Sequence, residues 1–131
     1  MKIMVGYDGS DPAKEALKLA KMHAEAFEAN TVYVLTSLEG EPHDQVKGLE
    51  KAEQDLASAE VFLKDSNFTT ETKLMTQGLS PGETLVEFAQ ENEVDEIILG
   101  IVKTSKVGKL VFGSTAQYVI LKAPCPVVTV K

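Results

Sequence analysis

Apolar residues fall into two alternating patterns along this chain: short unbroken runs, and runs spaced three or four residues apart. Residues 2–7, Lys-Ile-Met-Val-Gly-Tyr, stop at Asp8-Gly9-Ser10. An apolar run without polar alternation predicts a strand buried on both faces. Ala13, Ala16, Leu17, Ala20, Ala24 and Phe27 then recur at helical spacing. Ser10 or Asp11 can cap that helix, Pro12 suits its first turn, and it is expected to run to about Asn30. Residues 31–36 predict a second buried strand, and residues 37–44 a polar loop carrying His43. Val46, Leu49, Ala52, Leu56, Ala59 and Leu63 predict a long helix from about Gln45 to Asn67, with Asn67 as the left-handed terminator. Residues 69–75 are β-branched and partly alternating, which predicts an edge strand with one wetter face.

Ser80-Pro-Gly-Glu83 reads as a capping box with proline at the first helical position. Leu85, Phe88, Ala89 and Asn92 continue that helix. Residues 96–99 predict a fourth strand, 114–121 a short helix and 126–130 a fifth strand. The order β-α-β-α-β-α-β-α-β implies a five-stranded parallel sheet in a single domain, with helices on both faces and right-handed crossovers. Ligands of such sheets bind beyond the carboxyl ends of the strands, where the winding reverses. Asp8 and Gly100 both leave strand ends and are expected to face one crevice.

Composition narrows the function classes. The chain has 131 residues and a formal net charge of −7, with a pI near 4.8. That balance argues against nucleic acid or an anionic membrane as the main partner. No apolar stretch has the length of a membrane span and no secretory pattern is evident. A single cysteine, Cys125, fits a reducing cytoplasm. Within this acidic chain, the stretch from Gly100 to Gly113-Ser114-Thr115 carries Lys103, Lys106 and Lys109 and no acidic residue. Glycine, unpaired amides at a helix start, two hydroxyls and local positive charge suit a phosphate group. A helix N-cap by Ser114 uses the same geometry. Asp8 has two readings as well: an acceptor for a sugar hydroxyl or base amine, and a turn residue beside Gly9.

Other chemistries fit poorly. Gly108-Lys109 is followed by Leu110, where a Walker A loop needs Ser or Thr, and the dinucleotide fingerprint is absent. A phosphoryl-accepting receiver needs an acidic residue after the third strand, where this chain has Met75-Thr-Gln. His23 and His43 assemble no catalytic triad or metal spacing, and they read as surface or boundary residues. Cys125, between two prolines, reads as half-buried and unreactive.

Val5-Gly-Tyr-Asp8-Gly9-Ser10, Gly78-Leu-Ser-Pro81, Ile97-Ile-Leu-Gly100, Gly113-Ser114-Thr-Ala-Gln and Ala123-Pro-Cys-Pro126-Val-Val-Thr-Val, in that order, resemble the universal stress protein family. The resemblance implies a Rossmann-like, adenine nucleotide alpha hydrolase-like three-layer α/β/α fold. It also implies a homodimer, often through the last strand, acting as a stress-response or regulatory module rather than an enzyme. Nucleotide-binding members carry Gly, two residues, Gly, nine residues, then Gly with Ser or Thr. Gly100, Gly113 and Ser114 match. Lys103 stands at the second glycine, where it either blocks the phosphates or reaches over them as a point charge; binding is the expectation. By resemblance, Asp8 meets the adenosine part beside the Tyr7 backbone, and the Ser37 backbone faces adenine. Leu99 and Gly100 approach the ribose and first phosphate, and Gly113, Ser114 and Thr115 hold the phosphates. Lys103 and Ser105 are added from charge and position. The expected ligand is ATP or AMP, with Mg²⁺ held only through nucleotide phosphates. The alternatives are a protein-interaction module of the same fold that binds no nucleotide, and a slow ATPase. An unidentified regulatory protein is the expected macromolecular partner.

Overall fold

The computed structural model describes residues 1–38, 42–76, 80–101, 104–106, 109–111 and 113–131, with only the secondary structure given for 42–45, 47, 104–106 and 109–111. Its main sheet has five parallel strands: β1 (Lys2–Gly6), β2 (Thr31–Ser37), β3 (Thr69–Met75), β4 (Glu96–Gly100) and β7 (Val127–Val130). They lie in the order β3-β2-β1-β4-β7. β1 is therefore central, flanked by β2 and β4, and the winding reverses between β1 and β4 as the pattern predicts.

The unbroken apolar runs are explained by burial on both faces. Ile3, Val5, Tyr7, Val32, Val34 and Ile98 pack under α1 (Asp11–Ala26) and α2 (Pro42–Leu63). Met4, Tyr33, Leu35, Ile97 and Leu99 pack under α3 (Pro81–Glu91) and the adjoining α4 (Ser114–Lys122). Successive side chains alternate between two cores, so the middle positions of the central strands are apolar, and the buried polar residues of these strands, Thr36 and Glu96, stand near their ends. β3 alternates between exposed and half-buried positions, as an edge strand should.

Several boundaries differ from the sequence expectation. α1 ends at Ala26, because Phe27 is its C-cap and Glu28 takes a positive φ of 52°. α2 begins at Pro42, so His43 lies in a helix rather than a loop, and it ends at Leu63. The left-handed residue after α2 is Asp65 (φ 65°), not Asn67; a short polar side chain tolerates that conformation. Between β4 and α4 the chain forms an antiparallel pair that apolar patterning did not announce, β5 (Thr104–Lys106) with β6 (Lys109–Val111). Each strand is three residues long, too short for a period to register.

Candidate nucleotide cleft

The carboxyl ends of β1 and β4 open into a cleft of about 380 Å³. The turn after β1 forms one wall. Gly9 adopts φ 77°, a left-handed conformation that glycine takes without strain. The Ser10 amide donates to Asp8 Oδ1 at 2.9 Å, closing the turn. Ser10 Oγ then accepts from the Ala13 amide at 3.3 Å and caps α1. Asp8 is thus both a turn residue and an exposed carboxylate at the cleft, with Oδ2 unengaged among the described residues.

Tyr7 is held from behind. Its amide donates to the Leu35 carbonyl at 2.7 Å, and its carbonyl accepts from the buried Thr36 hydroxyl at 2.6 Å. Lys51 on α2 donates to the Asp8 carbonyl at 3.2 Å and to Asp55 Oδ2 at 2.7 Å. The hydrogen bond to Asp55 is the main reason the Lys51 pKa is raised.

The opposite wall is the start of α4. Gly113 is its N-cap and offers no side-chain cap, so Ser114 is the first helical residue rather than the capping one. The first helical bond runs from the Gln117 amide to the Gly113 carbonyl at 3.0 Å; the amides before it have no acceptor within the helix. α1 and α3 end differently. Ser10 and Ser80 cap them, and Asp11 and Glu83 add negative charge in their first turns. At α3, Glu83 Oε1 accepts from the Ser80 hydroxyl at 2.9 Å, and Ser80 Oγ accepts from the Glu83 amide. α4 has no acidic residue in its first turn. Its positive dipole end therefore meets the cleft without a side-chain cap or an acidic residue in its own first turn.

The two glycines at the ends of the connecting segment differ in kind. A Cβ on Gly100 would lie 2.3 Å from the Pro12 carbonyl carbon, so glycine there lets the start of α1 close against β4. A Cβ on Gly113 would meet nothing within 4 Å among the described residues, and its φ of −63° suits any residue. Neither conformation nor packing against the described residues demands glycine at 113, which leaves that side of the wall open for a ligand to approach the backbone.

Of the residues singled out by sequence, Tyr7, Asp8, Ser37, Leu99, Gly100, Gly113 and Thr115 line this one cleft. Ser114 is exposed beside it. Ser105 lies in β5 with its side chain outside the described residues, and Lys103 is itself outside them. Sequence reasoning passed over Thr36, Pro81, Ile101 and Ala116, which also line the cleft. Thr36 had a signal, a hydroxyl at the last buried position of an apolar strand. The other three are apolar or backbone contributors with none.

The remaining candidates lie elsewhere. His23 Nδ1 is 2.7 Å from Glu96 Oε1 at the amino end of β4, away from the cleft. Cys125 is half-buried, and burial, with Asp95 and Glu96, pushes its thiol pKa up. No cluster of three or more potential metal ligands occurs among the described residues. No helix among them is long and apolar enough to cross a membrane.

Comparison with known proteins agrees with this architecture. The model of the universal stress protein family matches residues 1–131. A universal stress protein from Thermus aquaticus is 34% identical over 137 aligned positions, covering 98% of this chain and 97% of its own. The structure of a universal stress protein from Archaeoglobus fulgidus superposes with a TM-score of 0.88 at 36% identity, covering 100% of this chain and 98% of its own. An Archaeoglobus fulgidus universal stress protein in complex with dAMP superposes with a TM-score of 0.81 at 30% identity, over 100% and 98% of the two chains. With the family model spanning its whole length and the fold shared throughout, the chain belongs to the universal stress protein family.

Proposed function

We propose that the cleft binds an adenine nucleotide and that the protein acts as a nucleotide-responsive regulatory or stress-response module rather than as an enzyme. One observation carries this reading: the uncapped start of α4 and the Asp8 carboxylate stand on opposite walls of the same cleft. An electropositive helix end suits phosphate, and a carboxylate suits ribose hydroxyls or the adenine amine. The dAMP complex of the relative with 30% identity supports the ligand class.

In this reading Asp8 Oδ2 accepts from the nucleoside, and Ser37 and Leu99 flank the base and ribose. The amides at Ser114 and Thr115, with their hydroxyls and the Gly113 backbone, hold phosphate. Lys103 and Ser105 complete the phosphate side, and Mg²⁺ enters only on the phosphates of ATP. Nucleotide acts by its differential affinity for two states or partners. The module works in the cytoplasm as a homodimer joined through β7, and a regulatory protein reads its state.

Calorimetric titration with ATP and AMP, with and without magnesium, tests the reading. Saturable heat and a raised melting temperature are expected. No heat and no thermal shift at millimolar nucleotide would sink it. Lys103→Glu is expected to weaken ATP more than adenosine, and an equal effect on both would remove Lys103 from the phosphates.

A further inference from the structure

Tyr7 also bounds a second cavity, on the α1–α2 face of the sheet. This groove has a volume of about 190 Å³ and is lined by Tyr7, Lys14, Leu17, Lys18, Ser58 and Phe62. The start of α4 lies over the opposite face, so the groove is separate from the phosphate side of the cleft.

The lining describes its occupant. Leu17 is buried, while Phe62 leaves 39% of its surface exposed, an apolar wall open to solvent. Tyr7 is 6% exposed as a whole residue; its hydroxyl has no hydrogen-bond partner among the described residues and remains open to solvent, since the buried unpaired side-chain atom among them is Ser66 Oγ. Burial, with the charges of Asp55 and Asp8, raises its pKa, so it remains a neutral donor.

Positive charge gathers at the same place. Lys14 has no ion-pair or hydrogen-bond partner among the described residues. Lys18 pairs at 3.0 Å with Glu15, and both side chains are exposed. Lys21, on the next turn, sits 5.0 Å from the centre of the Phe62 ring. The nearby Asp55 carboxylate is paired with Lys51 at 2.7 Å. Three ammonium groups on successive turns of one helix, beside an exposed aromatic ring, stand out in a chain of net charge −7.

We propose that this groove binds a small amphiphilic anion, a carboxylate on a short aliphatic or aromatic body. The carboxylate meets Lys14 and Lys18, the apolar body lies on Leu17 and Phe62, and Tyr7 supplies a neutral donor. This site is independent of the nucleotide reading.

Titration of the ¹⁵N-labelled protein with octanoate, followed by amide chemical shifts, tests it. The expected result is saturable shifts at Leu17, Ser58 and Phe62 that persist in excess AMP. Lys14→Glu, a change at an exposed unpaired side chain, should weaken octanoate about five-fold or more. Uncharged 1-octanol should bind more weakly than octanoate. Unsaturable shifts, shifts confined to Thr115 and Ala116, or equal affinity for octanol and octanoate would each overturn the proposal.

Discussion

Gly100 and Gly113 belong to one family pattern, yet the space around them assigns different work. Gly100→Ala forces a methyl into the Pro12 backbone, 2.3 Å away. Backbone cannot yield as a flexible side chain can, so the expected loss is about 3 kcal/mol of folding stability, measured by urea denaturation. Gly113→Val places its side chain where no described residue lies within 4 Å of the Cβ. It should cost only the difference between a favoured and a disfavoured N-cap, about 1 kcal/mol, while nucleotide binding measured by calorimetry is lost. Tyr7 carries the pH prediction at this scale. Its folded pKa is raised above the ordinary tyrosine value. Its contribution to stability is therefore complete below about pH 10 and lost as the pH rises through the folded value. Denaturation midpoints should fall on that alkaline limb, and Tyr7→Phe should flatten it. Asp8 was legible in the sequence only as a choice between turn and acceptor. In the structure Oδ1 closes the turn while Oδ2 has no partner among the described residues, so the turn role leaves one oxygen for the proposed acceptor role, which spacing along a chain cannot reveal.

At the scale of elements, the starts of α1, α3 and α4 are written in similar small-residue signatures but end in different electrostatic states. Ser10 and Ser80 cap the first two, whereas Gly113 leaves the third without a side-chain cap. Ser114→Asp should therefore act in opposite directions on stability and binding. A carboxylate in the first turn of α4 should stabilise the helix by about 0.3–1 kcal/mol, read as a raised melting temperature. The same charge should weaken ATP more than adenosine, read by calorimetry; an equal effect on both ligands would separate α4 from the phosphates. The capping box at Ser80 and the amphipathic faces of α1 and α3 were plain in the sequence because each is a local pattern with a local cause. The β5–β6 pair was not, since three-residue strands carry no period. The end of α2 was misread because Asp65 and Asn67 are both able to take a left-handed turn, and chain direction beyond the helix chooses between them.

For the whole molecule, the two edges of the sheet raise the question of assembly. Pro126 and Val130 turn their carbonyls toward β4, accepting from Ile97 and Ile101 at 3.0 and 2.7 Å. Alternation then directs the backbone groups of Val127 and Thr129 outward. Thr129→Pro removes an outward donor without taking a bond from β4. It should convert the proposed dimer to monomer in sedimentation velocity while leaving the fold intact by circular dichroism; an unchanged dimer would exclude pairing through β7. The sequence by itself determined the layered parallel architecture, because burial on both faces is written in short unbroken apolar runs and the helices in a spacing of three to four residues. It also supplied the chemistry of Asp8 and of the Gly113-Ser114 helix start. Only the tertiary structure decided that Asp8 and Gly113 share one cleft, that Gly100 serves packing while Gly113 meets none of the described residues, and that Tyr7 lies between the cleft and a lysine-rimmed groove. Those distinctions depend on distances between elements far apart in the chain, and no local period encodes them.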